Sequence, residues 1–212
     1  MTILLTVRRG IKMRRLCVLL LLLSLVFVGC SARFTATGAG YLDEKTGVVY
    51  HPLTEAFEAI TGGEELGVWE SELDGETLAF LAIPDADPLR FLADEKGNVY
   101  CSDETAPDAA AWSVTKIYVC DESAISMAVA SITDADTIAQ IRALWHEGET
   151  DELPYSGFLL SRELKMPSND CPGIYYCVLY YVYEDGSAYF YDRFERRAVP
   201  VSEDLVKKIP LE

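Results

Sequence analysis

The chain has 212 residues, with 18 Lys and Arg against 34 Asp and Glu, a formal net charge of -16, and 50% hydrophobic residues. That balance excludes nucleic-acid binding, which needs basic residues in bulk to neutralise phosphates. It also excludes adhesion to an anionic membrane through the protein's own surface.

Arg14 and Arg15 lead into an apolar run from Leu16 to Val28, interrupted by Ser24 alone and closed by Gly29 and Cys30. A positive start, a short greasy run and a small residue form the layout of a secretory signal, too short for a comfortable permanent span. Met13 is an alternative start, which would leave a conventional Met13-Arg14-Arg15 positive region. Phe27-Val28-Gly29-Cys30 resembles the lipobox of bacterial lipoproteins, with Phe27 where Leu is usual. The resemblance implies cleavage after residue 29, diacylglyceryl transfer to Cys30, and a membrane partner engaged through that lipid. Two acyl chains hold a protein firmly where one is reversible. The expected location is therefore the extracytoplasmic face of the cell membrane.

Without residues 1–29 the chain carries 13 Lys and Arg against 34 Asp and Glu, formally -21. Residues 30–40 lack periodicity and read as a tether. Residues 41–212 then make one mixed α+β domain, with an antiparallel sheet, one main amphipathic helix and short helices.

In chain order, a strand pair surrounds Asp43 to Gly47 and ends at Val48-Val49-Tyr50. Pro52 is expected to open a short helix through Glu55, Phe57 and Ile60, stopped by Gly62-Gly63. Leu78 to Ile83 reads as a strand, and Asp87-Pro88 as the start of a helical turn or two through Phe91-Leu92. Val114 to Cys120 and Ala124 to Ile132 are further strands, the second with Ile125, Met127 and Val129 alternating with small residues. Ile138, Ile141 and Trp145 recur at helical spacing in 134–146, with Thr133 and Asp136 resembling a capping box. Burying that stripe stabilises by roughly 5 kcal/mol before entropy. Gly157 to Ser161 is a strand.

Ile174 to Tyr183, the Glu184-Asp185-Gly186-Ser187 turn and Ala188 to Tyr191 give the strongest hairpin signal. Ser202 then caps a last helix to Ile209. Asp43 to Tyr50, Asp94 to Tyr100 and Glu184 to Tyr189 echo one another, and we read them as three hairpin turns.

Cys101, Cys120, Cys171 and Cys177 allow three pairings in an exported chain. Cys101–Cys120 with Cys171–Cys177 is the local choice, and buried free thiols are the alternative. No cofactor and no metal are expected, because neither pair has Cys-x-x-Cys spacing and neither His lies near one. His146-Glu147 lacks the second His of a zincin, and Gly-x-Ser-x-Gly is missing. His146 reads as a partner for the helix C-terminus and His51 as a turn residue. The carboxylates Asp85, Asp87, Asp103, Glu104, Asp108, Asp134 and Asp136 fit a solvated acidic surface.

Seven of the twelve Tyr lie between 175 and 191. Tyr176, Tyr180 and Tyr189 are the candidate ligand anchors, with Tyr176 and Tyr180 on one outward face and Tyr175, Tyr181 and Tyr183 as their alternates. Segments such as Asp87 to Ala93 and Tyr189 to Phe194 resemble short acidic lipoproteins of gut Firmicutes, a resemblance that implies no activity. The expected function is a lipid-anchored binding module for a glycan or envelope protein. The rivals are a small glycan hydrolase using two carboxylates, and a structural or inhibitory envelope lipoprotein.

Overall fold

The computed structural model describes residues 32–54, 56–60, 62–121, 127–193 and 195–211. The signal segment and Cys30 lie outside them. Among the described residues the chain is mixed α+β, built from two largely antiparallel sheets and two helices.

The first eight strands are β1 (Ala32–Ala36), β2 (Tyr41–Asp43), β3 (Val49–Pro52), β4 (Phe57–Ala59), β5 (Glu65–Glu70), β6 (Thr77–Ala82), β7 (Phe91–Asp94) and β8 (Val99–Cys101). All but β4 close a barrel in the order β1-β2-β3-β8-β7-β6-β5. The closing pair, β1 with β5, is parallel; the others are antiparallel. Closure leaves no unpaired strand edge. Phe34, Tyr50, Phe80, Leu92 and Tyr100 fill the interior.

Two hairpin turns of the barrel share one device. Asp43 Oδ1 accepts from the Lys45 backbone N–H, and Asp94 Oδ1 from that of Lys96, both at 2.8 Å. Asp43 Oδ2 accepts from Thr46 Oγ1 at 2.7 Å, and Asp94 Oδ2 from Asn98 Nδ2 at 2.6 Å. Gly47 and Gly97 follow with φ of 75° and 86°, a conformation that costs a glycine little. The sequence echo is therefore a repeated turn.

The second sheet holds β9 (Ile117–Cys120), β10 (Ala128–Ile132), β11 (Phe158–Pro167), β12 (Ile174–Tyr183), β13 (Ala188–Asp192) and β14 (Arg197–Val201), ordered β10-β9-β11-β12-β13-β14. Helix α1 (Ala135–Glu147) covers one face, joined by the short α2 (Glu203–Val206). Ile138, Ile141 and Trp145 pack on Ile117, Leu164, Val178, Tyr180, Phe190 and Val199, as the helical spacing predicts. A third cluster, including Phe57, Phe91, Val99, Trp112 and Ile174, fills the seam between barrel and sheet.

Several sequence expectations are corrected. Residues 32–36 are not a tether but β1, with Phe34 only 2% exposed. The helix expected from Pro52 is instead β4, whose neighbourhood is stitched to both sheets. Ala59 N–H donates to Gly97 O at 2.9 Å, and Cys177 N–H donates to Ala56 O at 2.7 Å. These partners favour extended backbone over a short helix that must bear its own nucleation cost. Asp87 starts only a turn before β7, its carbonyl accepting from Arg90 and Phe91 N–H. The cap of α1 is Asp134, not Thr133, accepting from Thr137 N–H at 2.8 Å. Ser202 makes no side-chain cap and α2 stops at Val206.

β9 begins at Ile117, later than expected, and β11 runs on to Pro167. Of the Ala124–Ile132 strand, residues 122–126 lie outside the described residues. A bulge between Ala128 and Ala130 turns Val129 outward and Ala130 and Ile132 inward, so Met127 and Val129 are exposed.

Candidate functional site

Side chains alternate across a strand, so β12 presents Val178, Tyr180 and Val182 to the helices and Cys177, Leu179, Tyr181 and Tyr183 to the other face. This sorts the candidate tyrosines. Tyr180 is fully buried under α1, its hydroxyl without a hydrogen-bond partner, and burial pushes its pKa up to about 12. It is no outward anchor. Tyr176 is half-buried on the same side; its hydroxyl accepts from Trp145 Nε1 at 2.9 Å, and its ring stacks beside His146. Tyr189, half-exposed, lies on the opposite face with the alternate Tyr181.

That opposite face carries an aromatic ladder. Register places Ser161, Tyr181, Tyr189 and Pro200 side by side across four strands. Tyr181 stacks on Tyr191 at 5.5 Å and 29°, and Tyr183 meets Tyr189 edge-on at 5.7 Å. Phe158, 53% exposed, packs edge-on against both Tyr181 and Tyr183. The rings pack on one another, with Tyr181, Tyr189 and Tyr191 half-exposed and Tyr183 buried. Among the described residues, the hydrogen-bonded tyrosine hydroxyls are those of Tyr50, Tyr100 and Tyr176; the four of the ladder have no protein partner. Burial and neighbouring phenols raise the pKa of Tyr181 and Tyr183, so both stay neutral donors.

One row further along, the face becomes charged. Glu163 lies beside Leu179, and Lys165 beside Cys177, on β11 and β12. Glu58 enters the same face from β4, opposite Tyr175. Lys165 Nζ pairs with Glu58 and, at 3.0 Å, with Glu163 Oε2. Burial first, and Glu58 second, raise the Glu163 pKa. The Lys165 pKa rises because two carboxylates outweigh its desolvation. Burial also lifts the Cys177 thiol well above its ordinary value. A cleft of about 220 Å³ opens here, walled by the Lys96-Gly97-Asn98 turn, Glu58, Glu163 and Tyr191.

Ligand atoms of Glu58, Glu163 and Cys177 lie within 4.8 Å of one another, close enough to share a cation. The Lys165 ammonium already serves as that cation, and the thiol is held protonated, so the geometry is an ion triad and not an open metal centre. As acid–base chemistry the pair is more suggestive. Glu163 is the more buried and burial raises its pKa, while Glu58 is the more open to the cleft.

Cys101, Cys120, Cys171 and Cys177 are free buried thiols in this structure. Cys101 lies in the barrel–sheet cluster with Cys171, whereas Cys120 and Cys177 flank Lys165, so the expected partners occupy different surroundings. His51 Nδ1 meets Ala39 O at 2.8 Å. His146 sits in the last turn of α1, as expected, and burial with the nearby Arg142 and Arg197 lowers its pKa. Four of the surface acids serve turns, caps and an ion pair: Asp87, Asp108 and Asp134 accept from backbone N–H groups, and Asp103 pairs with Arg90 at 2.9 Å.

Sequence reasoning missed Glu58, Glu163, Lys165, Tyr191 and Phe158. A signal existed for two of them: Glu163 and Lys165 are charged residues two apart in a strand, hence on one face. No helix among the described residues is long and apolar enough to cross a membrane. The chain matches no family model, no curated protein and no solved structure.

Proposed function

We propose that the protein is a lipid-anchored extracytoplasmic recognition module, tethered through Cys30 and binding through the aromatic ladder of its second sheet. The observation that carries this reading is the set of half-exposed phenols of Tyr181, Tyr189 and Tyr191, without protein partners for their hydroxyls, on a sheet face opposite the helices. Phenols fixed by mutual packing lose little side-chain freedom on binding, which favours them as contact residues. The apolar run ending at Cys30, on a chain too acidic to cling to lipid by charge, supports lipid anchorage. The test is retention of the full chain on immobilised envelope extract. Paired Tyr181→Ala and Tyr191→Ala substitutions should abolish retention while circular dichroism stays unchanged. Fatty-acid labelling that survives Cys30→Ala would overturn the anchorage.

A second reading, a carboxylate-dependent glycan hydrolase, is favoured by one observation, the Glu58 and Glu163 carboxylates facing one cleft. Their close approach suits the retaining geometry, with Glu163 as acid and Glu58 as nucleophile, provided that Lys165 releases Glu58. Reducing-sugar release that vanishes with Glu163→Gln would support it.

A further inference from the structure

The ladder is uncharged on a chain of formal charge -16, and this contrast selects among ligands. The row Ser161, Tyr181, Tyr189 and Pro200 holds no ionisable carboxylate or base, and charge begins one row away at Glu163. A polyanion approaching this row meets the field of the whole acidic domain without one compensating cation in the row itself; Lys96 and Arg193 lie on the wall of the adjoining cleft. A cationic partner would be drawn to the carboxylates and away from this strip. A protein partner would seek a pocket for a large anchor side chain. Here the rings already pack on one another, and what they offer is half-exposed phenols.

Resting on the recognition reading above, we infer that the ligand is a neutral, hydroxyl-rich polysaccharide lying across β11, β12 and β13. Its hydroxyls exchange hydrogen bonds with the phenols of Tyr181, Tyr189 and Tyr191, and its C–H groups pack on exposed Phe158. The chain continues over Tyr191 into the adjoining cleft of about 220 Å³, where Glu58 and Glu163 accept from sugar hydroxyls. Carboxylates are strong acceptors for such donors.

The experiment is native affinity electrophoresis of the full chain in detergent micelles. Gels contain hydroxyethylcellulose or galactomannan as neutral probes, or polygalacturonate as a polyanion of similar size. The expected result is retardation by at least one neutral polymer and none by polygalacturonate. Tyr181→Ala and Tyr191→Ala should each weaken retardation about tenfold. Tyr181→Phe, which keeps the ring and the packing, should weaken it less, and Leu73→Ala on a distant exposed hairpin should not change it. Retardation by polygalacturonate alone, or neutral retardation insensitive to both alanine variants, overturns the inference. Absence of retardation in both neutral gels overturns it too. In that case a benzoylphenylalanine placed at Tyr189 decides the recognition reading separately: cross-linking to an envelope protein keeps the surface and replaces the ligand.

Discussion

Tyr181 and Tyr191 stack with ring centroids 5.5 Å apart and 29° between their planes, on the sheet face turned away from α1. Neither is the tyrosine that hydrophobic patterning on one strand puts first. Their pairing comes from the hairpin register, in which Tyr181 faces Tyr189 and Leu179 faces Tyr191, so that the two rings lean across the diagonal. The ladder is thus a property of two strands together.

Removing the cation of the ion triad should unsettle the junction of β4 with the second sheet. Lys165→Met is expected to cost roughly 2–3 kcal/mol, less than a fully buried pair because the Glu58 side chain keeps 35% exposure. The pH dependence has a definite sign. Glu163 has a raised folded-state pKa, so its contribution is full below the unfolded value near 4.5 and is lost as pH rises through the folded value. Without Lys165 that loss should deepen, so urea midpoints of wild type and variant should converge as pH falls towards 4.5.

Asp94 is 1% exposed and accepts from two backbone N–H groups, Asn98 Nδ2 and the Tyr100 hydroxyl. Asp94→Ala strands those donors and is expected to cost about 3 kcal/mol, measured as a fall in thermal midpoint. Asp94→Asn keeps acceptor capacity at Oδ1 and should cost less. Equal losses in the two variants would contradict the turn device.

Ile138 is 3% exposed against the sheet. Ile138→Asp should cost more than about 3 kcal/mol by burying an unpaired charge. Loss of the near-ultraviolet circular dichroism of Trp145 and Tyr176 would report it.

Local signals explain what was legible. The Asp185-Gly186 turn between β-branched and aromatic runs specifies the β12–β13 hairpin within a few residues, and the Ile138, Ile141, Trp145 stripe specifies α1 and its buried side. The barrel was hidden because its strands are short and its closure depends on two pairings between strands distant in sequence, β1 with β5 and β3 with β8. β4 is the extreme case, three residues that read as helix from Pro52 and become strand through Asn98 and β12. The tyrosine face was half legible. Period-2 alternation correctly groups Tyr176 with Tyr180, but says nothing about which group the helix covers. The neighbouring strands carried that information: Leu164, Met166, Phe190 and Val199 are all apolar on the Tyr180 side, whereas Ser161, Glu163 and Lys165 lie on the other. The Glu58–Lys165 pair spans 107 residues and left no local trace.

The most direct test is tyrosine footprinting by tetranitromethane and peptide mass spectrometry, on the full chain with and without envelope extract. The account predicts that extract protects Tyr181, Tyr189 and Tyr191 several-fold, with no change at Tyr155, which is fully exposed, or at Tyr118 beside Lys116. Protection confined to Tyr118 or Tyr155, or equal nitration of the ladder with and without extract, would contradict it.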